Sequence, residues 1–241
     1  MQIYSKTDKG LKRNTNQDVF FAAELEGNAA LAIVCDGMGG ANAGNIASET
    51  AAKSISEYII RSYRVSMDFI SIEKMLKNAI DSANMEIYDM ALKNENFSGM
   101  GTTVVICLIK DNDAVIAHVG DSRAYLKNDK LTQITRDHSV VQSLLESGKI
   151  SKEDARVHPR KNVITRALGA EENVMADVTD LKLKTDDIVM LCTDGLSSYV
   201  SEDEIFELLQ NFTPSTVNEL VDKANANGGG DNITVVTLKC C

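Results

Sequence analysis

Apolar residues along this chain recur with two different periods, and the points where the period changes mark out its elements. QDVFFAAEL and NAALAIVCD read as strands, the second closing on Asp36. From Asn45 to Tyr63 the period lengthens, with Ile46, Thr50, Ala51, Ile55, Tyr58 and Ile59 at helical spacing. A second helix is predicted from Ile70 to Leu92, where Ile72, Met75, Leu76, Ala79, Ile80, Ala83, Ile87 and Met90 form one stripe. Each helix has a single apolar face, so both are expected to lie on a sheet.

Past the second helix the shorter period returns. GTTVVICLI and VIAHVGD flank a KDNDA turn and predict a hairpin that ends at Asp121. RAYLKNDKLTQIT predicts another, turning at Asn128 and Asp129. Ser139 to Ser147 is short and helical, stopped by Gly148. The polar, irregular stretch from Lys149 to Ala167, carrying HPRKN, predicts a surface flap. DVTDLKLK and DIVMLCTD predict a third hairpin that closes on Asp194. Thr213 and Pro214 supply an N-cap and first position for a helix to Asn225, and GGGDN leads into a last strand, ITVVTL. Strands joined by short turns pair antiparallel, and two helices follow one another with no strand between. The class is therefore α+β, with stacked sheets and helices outside.

Composition narrows the function. The chain has 241 residues, 44% hydrophobic and 25% charged, enough for one full core. With two prolines, no repeat and no low-complexity stretch there is no linker, so one domain over 1–241 is expected. A net charge of -10 argues against a nucleic-acid partner, since phosphate backbones need a basic face. Apolar runs are too short to cross a bilayer and MQIYSKTDKGLKRN lacks a signal-peptide core, so a cytoplasmic protein without membrane attachment is expected. Cys35, Cys107 and Cys192 lie in apolar runs and read as small buried hydrophobes, while Cys240 and Cys241 stand together at the end. No Cys/His ligand spacing occurs, and no cysteine heads a phosphate-binding loop closed by Arg. Structural zinc and cysteine-nucleophile chemistry are both disfavoured.

The candidate chemistry is acidic. Asp36, Asp121, Asp194 and Asp231 each stand where an apolar run meets a glycine or a tight turn, in AIVCDGMGG, AHVGDSR, MLCTDGL and GGGDNITVV. One such residue is an ordinary turn aspartate. Four suggest strand ends converging on one pocket, where carboxylates repel unless a cation neutralises them. Oxygen-only ligands favour Mg²⁺ or Mn²⁺ over zinc or copper. In Asp36-Gly37-Met38-Gly39-Gly40, glycine would let the backbone bend so that a carbonyl joins the ligands. The same residues read equally well as a glycine turn capped by Asp. Arg13 offers a planar fork for a phosphate, although by itself it reads more readily as a surface arginine.

In order, RxxNxD, DGMGG, SGMGTT, GDSRAY, TRDHS, HPRKNVITRALG, LCTDGL and GGGDNIT resemble the PP2C-type metal-dependent Ser/Thr protein phosphatases, in their compact bacterial form, over Lys9 to Leu238. The resemblance implies an αββα sandwich. Asp36 would bridge two central Mn²⁺ or Mg²⁺ ions, Gly37 would add its carbonyl, and Asp194 and Asp231 would complete one of the ions. Asp121 with Asp194 would offer a third site. Asp18 would order metal-bound waters, and Arg13 would bind the substrate phosphate. The stretch from Gly148 to Arg166 would be a flap beside the site. A metal-bound hydroxide would attack the phosphoserine or phosphothreonine phosphorus directly. Phosphoproteins, an opposing bacterial eukaryotic-type Ser/Thr kinase and a monomeric state are implied.

Two positions depart from the animal pattern. Gln17 stands where a glutamate is common, and Met38 replaces a histidine proposed as general acid. Of the three histidines, His118 reads as a core residue and His138 as a local cap or bond. His158, in the flap, is the candidate proton donor, with metal-bound water as the alternative. A catalytically silent phosphatase-like binding module is the main rival, and the full aspartate set argues against it. A regulatory phosphatase dedicated to an anti-sigma-factor antagonist, and an acidic metal-binding domain that needs no Arg13, are further rivals.

Overall fold

Several strands are apolar on both faces because they are covered on both. A computed structural model describes residues 1–39 and 43–240, without the side chains of Lys152, Glu153 and Arg156. Gly40, the last residue of DGMGG, and Cys241 lie outside the described residues. In chain order the elements are β1 (Gln2–Asp8), β2 (Asp18–Leu25), β3 (Ala29–Met38), α1 (Ala43–Ser62), α2 (Phe69–Lys93) and a single 3₁₀ turn (Glu95–Phe97). Then come β4 (Gly101–Thr102), β5 (Val104–Lys110), β6 (Asp113–Val119), β7 (Arg123–Lys127), β8 (Leu131–Gln133), α3 (Val140–Glu146) and α4 (Lys152–Val157). The last are β9 (Asp177–Lys182), β10 (Ile188–Cys192), α5 (Asp194–Ser197), α6 (Glu202–Gln210), α7 (Thr216–Ala226) and β11 (Ile233–Lys239).

One antiparallel sheet runs β1-β11-β10-β7-β8; the other runs β2-β3-β5-β6-β9, with β4 extending the pairing of β3. Period-2 alternation divides the strand residues between two interfaces. Ala30, Ala32 and Val34 of β3 pack with Val105 and Cys107 of β5 against Val189, Leu191 and Val236 of the opposite sheet. Leu31, Ile33 and Cys35 face the other way, onto Ile55 and Ile59 of α1 and Leu76 and Ile80 of α2. On the far side, Met190, Cys192 and Val235 meet Ile205, Leu209, Leu220 and Val221 of α6 and α7. The layers are helix, sheet, sheet, helix, the αββα sandwich of the sequence reading. The three strand cysteines are buried in these layers, as expected. Among the described residues, no helix is long and apolar enough to cross a membrane.

Several expectations need correction. DVTDLKLK and DIVMLC do not form a hairpin. β9 pairs with β6 at the edge of one sheet, while β10 pairs with β7 and β11 inside the other. Their burial separates them, since β9 is half exposed as an edge strand should be and β10 is buried throughout. β3 runs past Asp36 to Met38, where Gly37 and Met38 pair with Thr102 and Gly101. The flap is not wholly irregular, because Ser151 and Asp154 form a capping box that starts α4. A second box, Ser201 with Glu204, starts α6, which the sequence reading passed over together with β1 and α5. The helix expected from Thr213 begins at Thr216 behind Ser215, and the Thr213 N–H donates to the Thr216 hydroxyl at 2.9 Å.

Candidate metal centre

The aspartates reach one place because strand ends of both sheets open at the same mouth. Asp18 starts β2 and lies opposite Asp36 of β3 in the ladder. Asp121 occupies the turn between β6 and β7, Asp194 follows β10 as the first residue of α5, and Asp231 precedes β11. Their fields overlap. Asp36 is held well above the usual carboxylate range, first by burial and then by repulsion from Asp18, Asp194, Asp121 and Asp231. Burial, with repulsion from neighbouring carboxylates, also pushes Asp18 and Asp121 up to about 7 and Asp194 up to about 6.

Neutral hydroxyls hold these acids in place. The Asp36 N–H donates to Thr103 Oγ1 (3.0 Å), and its carbonyl accepts from the Thr103 N–H (2.9 Å) and Thr102 Oγ1 (2.9 Å). Thr103 Oγ1 also shares a 2.7 Å hydrogen bond with Ser122 Oγ, tying the Asp36 strand to the Asp121 turn. Thr193 and Thr234 hydroxyls each donate to Asp18 Oδ2 at 2.8 Å. Asp18 Oδ1 is buried and has no partner. A buried carboxylate oxygen without a donor is costly unless something fills the space before it. That orphan oxygen, beside a group of mutually repelling carboxylates, fits a hydrated hard cation. Gly37 lies where β3 meets α1, and a Cβ there would sit 2.1 Å from the Gly44 carbonyl. Close approach, rather than a bend, requires this glycine.

Arg13 belongs to the same mouth. Its Nη2 donates to Asp231 Oδ2 at 2.7 Å, with 51% of the arginine side chain exposed. The loop that carries it is stitched by Asn232, whose amide donates to the Lys9 and Thr15 carbonyls and whose Oδ1 accepts the Gln17 N–H, all at 2.9 Å. Leu11 and Lys12 N–H groups donate to the Gly229 carbonyl (2.8 and 3.2 Å). Gln17, the departure from the animal pattern, serves through its carbonyl, which accepts from Gly37 N–H and Ser48 Oγ. The sequence reading assigned no role to Thr102, Thr103, Thr193, Thr234 or Asn232. Two of them, Thr193 and Asn232, stand directly beside a quoted aspartate, which is the available signal.

Among the described residues no hydrogen bond joins a histidine directly to one of these five aspartates. His158 caps α4, and its Nδ1 accepts from the Arg160 N–H (3.1 Å); every hydrogen bond described for it stays between residues 155 and 161. His118 is buried and donates from Nε2 to the Arg136 carbonyl (2.8 Å), the core role expected. His138 does not cap the helix that follows, since Ser139 does. With His118 and Asp177 it makes a trio close enough for a metal ion. His138 Nδ1 accepts the Gly120 N–H (3.1 Å), so the ring proton sits on Nε2, facing Asp177 Oδ2 at 3.2 Å. Both nitrogens of that ring are committed, and Arg166 places a cation 3.1 Å from Nε2. The trio is a poor metal site.

The raised carboxylate pKa values set a sign for stability. Unfolded aspartates titrate near ~3.9, so between that pH and about 6 to 7 the folded chain holds protons that the unfolded chain has released. Stability of the cation-free protein should fall as pH climbs through this window. In chelator, the Tm is expected to drop between about pH 5 and pH 8, and Mn²⁺ should raise it more at the upper end. Thermal melts with and without Mn²⁺ check this; a flat or rising Tm in chelator contradicts it.

Comparison with known proteins agrees with the geometry. The sequence pattern described as Protein phosphatase 2C matches residues 8–233. The serine/threonine phosphatase Stp of Listeria monocytogenes is 42% identical over 244 residues, covering 99% of this chain and 96% of its own. The crystal structure of Stp1 from Staphylococcus aureus superposes with a TM-score of 0.94 at 34% identity, covering 100% of this chain and 95% of that one. The catalytic domain of the protein phosphatase PstP, solved with two manganese ions, superposes at 0.85 with 32% identity, covering 98% and 96%. The chain belongs to the protein phosphatase 2C family.

Proposed function

We propose that the mouth between the two sheets is the catalytic centre, with Asp36, Asp121, Asp194, Asp231 and the Gly37 carbonyl as ligands for two central Mn²⁺ or Mg²⁺ ions and a third beside them. The activity is that of a protein serine/threonine phosphatase, a phosphoric monoester hydrolase acting on phosphoproteins and dependent on these ions. The observation that carries the site assignment is Asp18 Oδ1, an orphan oxygen beside carboxylates that raise one another's pKa. The two manganese ions of the PstP domain support the count of central ions.

When bound, such ions supply Lewis acidity toward the phosphoryl oxygens and acidify the attacking water, so no phospho-enzyme is needed. The chain's own residues do the rest. Asp18, anchored by two threonines through Oδ2, keeps Oδ1 free to orient water at the mouth. Arg13 uses one Nη2 hydrogen on Asp231, which leaves the other edge, the second Nη2 hydrogen with its neighbouring nitrogen, to take two phosphate oxygens in a planar fork. His158 stands in the flap, residues 148–166, as the group that protonates the departing serine or threonine oxygen. Residues 1–241 form one catalytic domain in this reading. The protein is a cytoplasmic monomer in phosphosignalling, opposed by a Ser/Thr kinase acting on the same targets. The complete carboxylate set argues against a silent binding module.

Removing Asp194 by Asp194→Ala is expected to lower kcat/KM at least about a hundredfold. Because this carboxylate is repelled in the cation-free protein, the Tm in chelator should stay level or rise. A folded variant with near-normal turnover refutes the assignment. Arg13→Lys keeps a charge and loses the fork; kcat/KM on a phosphothreonine peptide should fall about tenfold or more, mostly through KM. An unchanged KM would place Arg13 outside the phosphate site. For His158→Ala, turnover of p-nitrophenyl phosphate, whose leaving group needs no proton, should be unchanged. Turnover of the phosphothreonine peptide should fall about a hundredfold. Equal rates for variant and wild type on the peptide would assign the proton to water.

A further inference from the structure

We propose that His138 is a positioning residue for Asp121, gripping the preceding Gly120 through both its ring and its backbone and fastening the base of the flap to the same point. The proposal rests on the reading of Asp121 as a cation ligand. Gly120 has its two polar groups satisfied by one residue. Its N–H donates to His138 Nδ1 at 3.1 Å, and its carbonyl accepts the His138 N–H at 2.9 Å. On the other side Gly120 presses on Thr103, where a Cβ would lie 2.5 Å from the threonine Cγ2, and its φ of +109° excludes an ordinary side chain. The turn that presents Asp121 is therefore pinned between Thr103, which also holds Asp36, and His138.

The grip depends on a specific proton placement. Only a ring unprotonated at Nδ1 can accept from Gly120, so the proton must sit on Nε2. Asp177 Oδ2 faces that nitrogen at 3.2 Å, and Arg166 Nη1 fixes the other Asp177 oxygen at 2.8 Å. The ring is buried and stacks on His118 with centroids 4.7 Å apart and planes 16° from parallel. His118 in turn is anchored to the Arg136 carbonyl. The ring can neither rotate nor tilt without breaking one of these contacts.

The same residue meets the flap. The His138 carbonyl accepts the Thr165 N–H at 2.7 Å, Val140 N–H donates to the Val163 carbonyl at 2.9 Å, and Ser139 bridges to Ile164. Three residues further on, Leu168 exchanges two backbone hydrogen bonds with Thr102, whose hydroxyl donates to the Asp36 carbonyl. Where the flap leaves the body, it is thus tied to the Asp121 turn at one point and to the Asp36 strand at another.

Two substitutions separate the ring's functions. In His138→Asn, the amide oxygen stands near the place of Nδ1 and can accept from Gly120. His138→Gln reaches toward Asp177 but removes the Gly120 acceptor. With the full chain in chelator, amide exchange at Gly120 followed by NMR should accelerate at least about tenfold in His138→Gln and stay near wild type in His138→Asn. By calorimetric Mn²⁺ titration, His138→Gln should lose about tenfold or more at the weakest site only. In combination with Asp121→Ala it should add nothing further. Unchanged Gly120 exchange in His138→Gln overturns the grip. Faster exchange with wild-type Mn²⁺ binding, while Asp121→Ala loses a site, overturns the positioning role. If Asp121→Ala itself loses no Mn²⁺ site, the ligand reading of Asp121 fails, and the positioning role fails with it. If both histidine variants prove too unstable, Asp177→Asn, on the partly exposed side of the ring, must show weaker binding at the same single site or the proposal is rejected.

Discussion

The repulsion among carboxylates gathered at one mouth is the constraint that the rest of this structure answers. Buried like charges a few ångströms apart interact far more strongly than in water. Left to relax, the strand ends that carry Asp36, Asp121, Asp194 and Asp231 would splay. They are held by the sandwich. Two sheets packed through Ala30, Val34, Val105, Leu191 and Val236, each covered by helices, leave their ends little freedom to separate. The core thus fixes an arrangement that the acids alone oppose. A bound divalent cation would reverse the sign of that interaction and draw the same strand ends together.

How the acids are held is as telling as where they sit. The hydrogen bonds that position Asp18 and Asp36 come from threonine hydroxyls and backbone N–H groups, all neutral. A lysine or arginine in those places would stabilise the carboxylates equally well and compete with the ion. Arg123, next in chain to the Asp121 turn, is drawn off instead. It grips Asp137 with Nε (3.0 Å) and Nη2 (2.7 Å) and donates to the Tyr125 hydroxyl. Arg13 is the cation in direct contact with a cluster carboxylate among the described residues, and it is half exposed, free to swing toward a phosphate.

Much of this was legible in the chain because it is written in local patterns. The long stripes of α1 and α2, the β5-β6 and β7-β8 hairpins and the four strand-end aspartates all rest on spacing within a dozen residues. What escaped depends on partners far along the chain. β9 and β10 are consecutive, and only the neighbours each finds decide that they lie in different sheets. Thr193 and Thr234 look like ordinary strand residues until both hydroxyls meet Asp18, some 175 and 216 positions away. The glycine at 37 was read as a hinge for a carbonyl, whereas its missing side chain makes room for Gly44. α6 is a different case, because its capping box of Ser201 and Glu204 is a local signal carried by the sequence itself.

Proton placement, more than distance, separates the two acidic groups of the molecule. His118, His138 and Asp177 lie within metal-binding range of one another, yet the Gly120 N–H claims one nitrogen of His138 and forces the proton onto the other. No lone pair of that ring is left to give. The aspartates at the mouth are less committed: Asp18 Oδ1 accepts from nothing, Asp231 accepts from the half-exposed Arg13, and the raised pKa values of Asp18, Asp36, Asp121 and Asp194 mark protons that a cation would displace. The histidine trio is closed and braces the turn, the carboxylates are open and are the ligands of the proposed centre, and Gly120–Asp121 is the dipeptide where brace and proposed ligand meet.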